Sequence, residues 1–302
     1  MPFGPYDAGG SRTVEATRDV NDIIRNIAPT ETPLLSSLTI LPTSQVKYEW
    51  LTDTLVTEDP NNAMPHDGDA GDAVDTQRTL LDNYCQIFNV TASVNWTQRR
   101  VGQYGITDEM AYQKTKKLVE LKRHIEKRIL SNGAKQAGTP ANTDTPYMDG
   151  LATQITVNVD SAGTFNQTTM TSLMQTIMDS GGDPTVVYCD STRKKAITNF
   201  SGTDRRSFQD AREVINTVEV YASDFGELKI VYHRMLPANA AANAATDAEV
   251  LVLTPALVEL REFEPFHWTE MARTGRKDTE LGCWAITLAN LQELGHGAFK
   301  GL

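Results

Sequence analysis

The sequence is poor in what small-molecule chemistry needs. Its three cysteines, Cys85, Cys189 and Cys283, are far apart and form no C-x-x-C pair. That excludes a zinc ribbon or a disulfide framework and fits a reducing compartment, where each thiol is a small buried hydrophobe. There is no G-x-x-x-x-G-K-[ST] loop, no G-x-G-x-x-G, no H-E-x-x-H and no G-x-S-x-G elbow. The histidines, His66, His124, His233, His267 and His296, have no metal-ligand spacing, and His124 reads as a surface residue of a helix. Asp67 to Asp72 resembles half a calcium loop but lacks the closing glutamate, so it reads as a plain acidic loop. No catalytic residue, cofactor or metal is expected. No apolar stretch reaches membrane-spanning length, and the first residues, MPFGPYDAGGSRT, lack the basic run and apolar core of a secretory leader. No membrane partner is expected.

Basic charge is also short. The formal net charge is −11, against nucleic acid as the main ligand. Outside one helix the only basic cluster is Arg193, Lys194, Lys195, Arg205 and Arg206, two short runs without interleaved aromatics and a weak surface for DNA.

What is present is a long helix. Over residues 106–133, Leu118, Leu121, Ile125 and Ile129 recur at three- and four-residue spacing, with Met110 and Ala111 near the start. Thr107 is the expected N-cap, Asp108 and Glu109 suit the positive end of the dipole, and Asn132-Gly133 is the expected stop. Such a helix spans about 40 Å, enough to carry other parts. Its other face bears Lys114, Lys116, Lys117, Lys122, Arg123, Lys127 and Arg128 against Asp108, Glu109, Glu120 and Glu126, a net +3. The plain reading is a solvated face laced with pairs such as Lys122–Glu126.

The helix follows an acidic counterpart. Val46 to Val56 reads as a strand. A polar, Gly/Pro-punctuated loop follows, and the chain returns through a strand in which Phe88, Val90, Ala92, Val94 and Trp96 alternate with polar positions. From Asp53 to Asp82 there are eight acids, Glu58, Asp59, Asp67, Asp69, Asp72 and Asp75 among them, and one base, Arg78, a net −7. A loop this long inside a compact domain is usually functional.

Residues 1–16 read as a loose arm. Two short helices follow, one with Ile23, Ile24 and Ile27 before Pro29, the other capped by Thr32 with Leu34, Leu35 and Leu38 as its apolar face. Neither makes a core alone, so each must lie on something else in this subunit or the next. After a linker over 134–150, the pattern is mixed. Strands are expected at LATQITVNV, TVVYC, VEVYAS, LKIVYHRML, EVLVLT and LVELREF. Helices are expected at TTMTSLMQTIMDSGG and DSTRKKAITNF, and one long strand closes the chain in ELGCWAITLANLQEL. The fold class is α+β. Acidic tip and basic helix are complementary but joined by a short connection, so the easier match is the same helix on a neighbouring copy. Such a heterologous contact builds rings and shells. The interface residues this predicts are Glu58, Asp59, Asp67, Asp69, Asp72 and Asp75 against Lys114, Lys116, Lys117, Lys122, Arg123 and Arg128, with Ile23, Ile27 and Leu34 on the arm.

Several motifs in order resemble the tailed-bacteriophage major capsid proteins of the Hong Kong 97-like fold. They are Asp22-Ile23-Ile24-Arg25-Asn26-Ile27-Ala28-Pro29-Thr30-Glu31-Thr32-Pro33-Leu34, then Glu49 to Leu55, Ser223 to Gly226, Ala272 to Gly275, and the ending from Thr287 through Gly295-His296-Gly297 to Leu302. The resemblance covers residues 19–302. It implies an N-arm at 1–45, an extended E-loop at 46–104, a P-domain at 105–149 and 264–302 with its spine helix at 107–132, and an A-domain at 150–263. It implies homo-hexamers and pentamers forming an icosahedral shell around double-stranded DNA that is contacted weakly. It also implies assembly in the host cytoplasm, with a portal and with scaffolding and decoration proteins as partners. Some shells of this fold are welded by a lysine in the E-loop, but no lysine lies between Lys47 and Lys114 here. A shell held by non-covalent contacts or by a decoration protein is therefore expected. The short N-terminus leaves no room for a fused scaffolding domain, so the scaffold is expected as a separate protein. An encapsulin-type compartment, and an enzyme with an unrecognised site, are the alternatives.

Overall fold

The structure, a computed structural model, describes residues 31–56, 58–63, 66–67, 76–100, 108–139, 144–161, 163–200, 220–236, 248–273 and 275–301. The helix expected around Ile23 and Ile27 lies outside these residues, as do Asp69, Asp72 and Asp75 and most of the half calcium loop.

In chain order the elements are α1 (Pro33–Ser37), β1 (Thr39–Pro42), β2 (Lys47–Thr52), β3 (Thr79–Tyr84), β4 (Gln86–Asn95), α2 (Trp96–Arg100) and α3 (Glu109–Leu130). Then come α4 (Leu151–Gln154), β5 (Val159–Asp160), α5 (Gln167–Asp179), β6 (Val186–Cys189), α6 (Ser191–Thr198), β7 (Val220–Ser223) and β8 (Gly226–Tyr232). The chain ends with β9 (Ala248–Leu253), β10 (Val258–Glu270), β11 (Lys277–Asn290) and β12 (Gly297–Lys300). Three sheets result: β1-β10-β11-β4, β5-β12-β9-β6-β8-β7, and the two-stranded β2-β3.

The spine is α3. Leu121, Ile125 and Ile129 are fully buried, packed with Leu34 and Leu35 of α1, Phe88 and Val90 of β4, Leu260 of β10 and Leu288 of β11. Its N-cap is Asp108, whose carboxylate accepts from the Met110 N–H at 2.9 Å. That corrects the assignment to Thr107: a carboxylate at the positive helix end gains charge interaction as well as the hydrogen bond. The helix stops at Leu130 with Ser131 as C-cap, two residues before Gly133. Gly133 has a different task, since a Cβ there would sit 2.0 Å from the Arg128 guanidinium.

A second core lies under the six-stranded sheet. Met170, Leu173, Met174 and Ile177 of α5 are buried against Val187, Cys189, Val250, Val252 and Phe299, so the methionines are core as expected. The middle strand β9 is buried along its whole length, the behaviour of a strand covered on both faces. Asp190 caps α6 through the Thr192 and Arg193 N–H groups.

Four expectations need correction. LATQITVNV is no strand: it begins as α4, where the Ala152 carbonyl and that of the C-cap Ile155 accept from Lys300 Nζ at 2.6 and 2.9 Å, and only Val159–Asp160 pairs. Residues 79–82, read as the end of the loop, belong to β3, because Leu80 and Leu81 fall opposite Leu51 and Trp50. Trp96 starts α2 instead of ending β4. The closing strand breaks after Asn290, and the chain crosses to the other sheet as β12, where a Cβ on Gly297 would meet Ile177 at 2.7 Å. The alternation of β4 holds, with Phe88, Val90, Ala92 and Val94 buried. That strand pairs along β11, however, so the hairpin proper is β2–β3 and β4 belongs to the spine-helix sheet.

Candidate assembly surfaces

One buried polar node was not legible as such in the sequence. Glu126, read as a surface partner of Lys122, is fully buried on α3. Its carboxylate accepts from the Leu34 N–H at 2.9 Å and the Leu35 N–H at 2.7 Å, the open N-terminus of α1. Thr32, expected to cap that helix, makes no side-chain cap bond. His233, following β8, lies 2.6 Å from the same carboxylate through Nε2. His233 Nδ1 accepts from the Met235 N–H, so the ring proton sits on Nε2 and is donated to Glu126. A buried carboxylate with three donors is satisfied without a cation. Ser37 and the Tyr188 hydroxyl, 2.9 Å apart, tie α1 to β6 beside it. The orphan helix thus lies on its own subunit, and Leu34, expected on an interface, is buried there. One clue was available: Leu130 lies one helical turn past Glu126 and widens the apolar stripe to its position.

The basic face of α3 is partly spent within the subunit. Lys114 pairs with Glu280 and lies 5.8 Å from the Trp268 ring. Lys117 pairs with Glu120 at 2.7 Å, and Lys127 donates to the Met235 carbonyl. Arg128 is half-buried, stacked on Tyr147 and donating to the Ala134 and Met148 carbonyls, so its role is structural, and burial lowers its pKa. Arg123 is half-buried. Lys116 and Lys122 are exposed and have no ion pair among the described residues. Arg193 leaves the candidate DNA surface, since it is buried and paired with Glu249 and Asp190. Arg205 and Arg206 lie outside the described residues.

The hairpin is tied down at its root, and Glu58, Asp59 and Asp67 beyond it are exposed. Lys135 Nζ holds Asp82 at 2.9 Å, keeping that carboxyl below its usual range, and Asn83 donates to the Leu288 carbonyl at 2.6 Å. Tyr48 stacks with Trp50, and Arg261 lies 4.8 Å over Tyr48. Further out, Asp53 faces Arg78 at 3.5 Å. Glu58, Asp59 and Asp67 are exposed and have no ion pair among the described residues. The hairpin also presents apolar surface that composition did not flag: Leu51 and Leu80, directly opposite each other, are 60% and 55% exposed, and Leu55 is 96% exposed. No group of three or more candidate metal ligands occurs among the described residues.

Comparison with known proteins bears on these surfaces. The sequence model of the SU10 major capsid protein family matches residues 7–302. A major capsid protein from Escherichia phage Phieco32 is 22% identical over 92% of this chain and 88% of its own length. Among solved structures, the capsid of a native GTA particle superposes with a TM-score of 0.68 at 10% identity, covering 95% of each chain. The SrpI encapsulin from Synechococcus elongatus superposes at 0.58 and 11% identity, over 95% of this chain and 92% of that one. Two kinds of container thus share this Hong Kong 97-like fold.

Proposed function

The chain belongs to the SU10 major capsid protein family, a phage shell protein of the Hong Kong 97-like fold, and we propose that it works by seating its β2–β3 hairpin on a neighbouring copy within hexamers and pentamers. The observation that carries this is the combination of a fixed root and exposed leucines on the hairpin. A hairpin bearing Leu51, Leu55 and Leu80 in solvent is costly in an isolated subunit, and two strands alone are marginal. Covering them on a second copy removes apolar area, while Glu58, Asp59 and Asp67 meet exposed cations of the P-domain, Lys116 and Lys122 among them. Each contact needs only a few kcal/mol, because many identical ones act together.

The finer parts of the reading follow from membership and charge. The shell encloses double-stranded DNA and, being acidic, grips it weakly. It assembles in the host cytoplasm with a portal and a scaffolding protein, and it is a structural protein, not an enzyme. With no lysine between Lys47 and Lys114, the shell is held by non-covalent contacts or a decoration protein. The encapsulin reading shares the fold but not the family match, which is why the phage head is preferred. Negative-stain microscopy of the purified chain tests the reading: closed shells or rings of five and six support it, and a stable monomer at high concentration rejects it.

A further inference from the structure

The far end of the spine-helix sheet, where β10 turns into β11, carries cations that nothing described so far uses. The turn and the neighbouring α2 bring together Arg99, Arg100, Arg273, Arg276 and Lys277 with Glu270 and Asp278, and Asp108 and Glu280 also act on Arg99, so the patch is a net +1 in a chain of −11. Asp278 is buried and already shared by Arg99 at 2.7 Å and Arg273 at 2.9 Å. Arg100, Arg276 and Lys277 are exposed and have no ion pair among the described residues. The adjoining residues outside the description, 101–107 and 274, contain no acid.

These cations are held in place. The Arg100 guanidinium lies 4.0 Å over the Trp96 ring and that of Arg276 5.2 Å from it. The Trp96 N–H also donates to the Arg276 carbonyl at 3.0 Å. Stacking fixes a planar guanidinium with its N–H fork free, the state that recognises a carboxylate with little further entropy loss. Beside the stack is an open cleft of about 490 Å³, lined by Ser93, Asn95, Gln98, Arg276 and Lys277.

We propose that the Arg100–Trp96–Arg276 stack and its cleft are a carboxylate-binding seat for the acidic hairpin loop of a second copy of this chain, through Glu58 and Asp59. The inference rests on the assembly reading above and extends its basic surface beyond the spine helix, most of whose cations are spent internally. Three points favour a second copy as occupant. The hairpin supplies exposed carboxylates with no ion pair among the described residues. Its strands project apolar side chains that also need cover. In a shell every hairpin meets a seat at the same concentration.

The test is a charge swap in the full chain. Wild type, R100E/R276E, E58K/D59K and the combined fourfold variant are compared for assembled fraction by sedimentation over a salt series, with melting curves as the folding control. The expected result is a loss of about tenfold or more in each double variant and recovery in the fourfold one. If R100E/R276E melts early, R100Q/R276Q replaces it, with a smaller loss expected. Undiminished assembly of either double variant overturns the proposal. So does loss without recovery, which would assign the seat to another anion such as nucleic acid. A wild type that never assembles defeats the assembly reading itself, and the seat with it.

Discussion

The Glu126 carboxylate meets three hydrogen-bond donors, two backbone N–H groups of α1 and His233 Nε2–H. Glu126→Ala strands all three in a buried site, and a destabilisation of about 3 kcal/mol is expected from unmade hydrogen bonds. Glu126→Gln keeps one acceptor and should cost less than half of that. Urea denaturation of the unassembled subunit measures both, and equal costs would contradict the account. His296 supplies a pH effect. It is fully buried, its Nδ1 accepts from the Thr254 N–H, and burial lowers its pKa from 6.5 to about 4. The unfolded chain therefore binds a proton at this ring between about pH 6.5 and pH 4 that the folded chain refuses. Stability from His296 is complete above about pH 6.5 and is lost as pH falls through that window, on the order of 3 kcal/mol in all. His296→Gln should flatten that part of the stability–pH curve, and an unchanged slope would contradict the assignment. Cys85 and Cys189, pushed up by burial to about 11 and about 12, are poor nucleophiles, as expected of core thiols.

At the scale of elements, long periodic segments were legible, as were short ones with clear caps or apolar runs such as α1, α6 and β6, whereas α4 and β3 were not. The stripe of Leu121, Ile125 and Ile129 announces α3 because one period is sustained over several turns, and the alternation of β4 announces a strand with one dry face. The four residues of α4 could not be read, because Lys300, far away in sequence, holds the carbonyls of Ala152 and of the C-cap Ile155. The burial of Glu126 depends likewise on α1, which is distant along the chain. On the assembly side, the acidic loop and basic helix were visible as charge, but pairs such as Lys114–Glu280 and Lys135–Asp82, which spend part of that charge, exist only in the fold. The exposed leucines of the hairpin belong to the same level. Leu51→Ser with Leu80→Ser should leave the melting of the isolated subunit within about 0.5 kcal/mol, since both are exposed, while lowering assembly sharply. A large loss of subunit stability with normal assembly would show that these side chains are covered by their own chain.

At the scale of the whole molecule, the subunit is internally complete at its two cores and open at its edges. Helix α1 is pinned by the Glu126 node, the hairpin root by Lys135 and Asn83, and Glu58, Asp59, Asp67, Arg100 and Arg276 are exposed. Because the hairpin has no lysine beyond Lys47 at its root, shells boiled in detergent should run as a single 33.3 kDa band, and a ladder of multiples would reveal a weld elsewhere. An electron cryo-microscopy map of the purified shell is the most direct measurement. The account predicts the β2–β3 hairpin of each copy lying across a different copy, with Leu51 and Leu80 covered and Glu58 and Asp59 near cations. A map in which every hairpin folds back on its own subunit, leaving neighbours joined elsewhere, would contradict it.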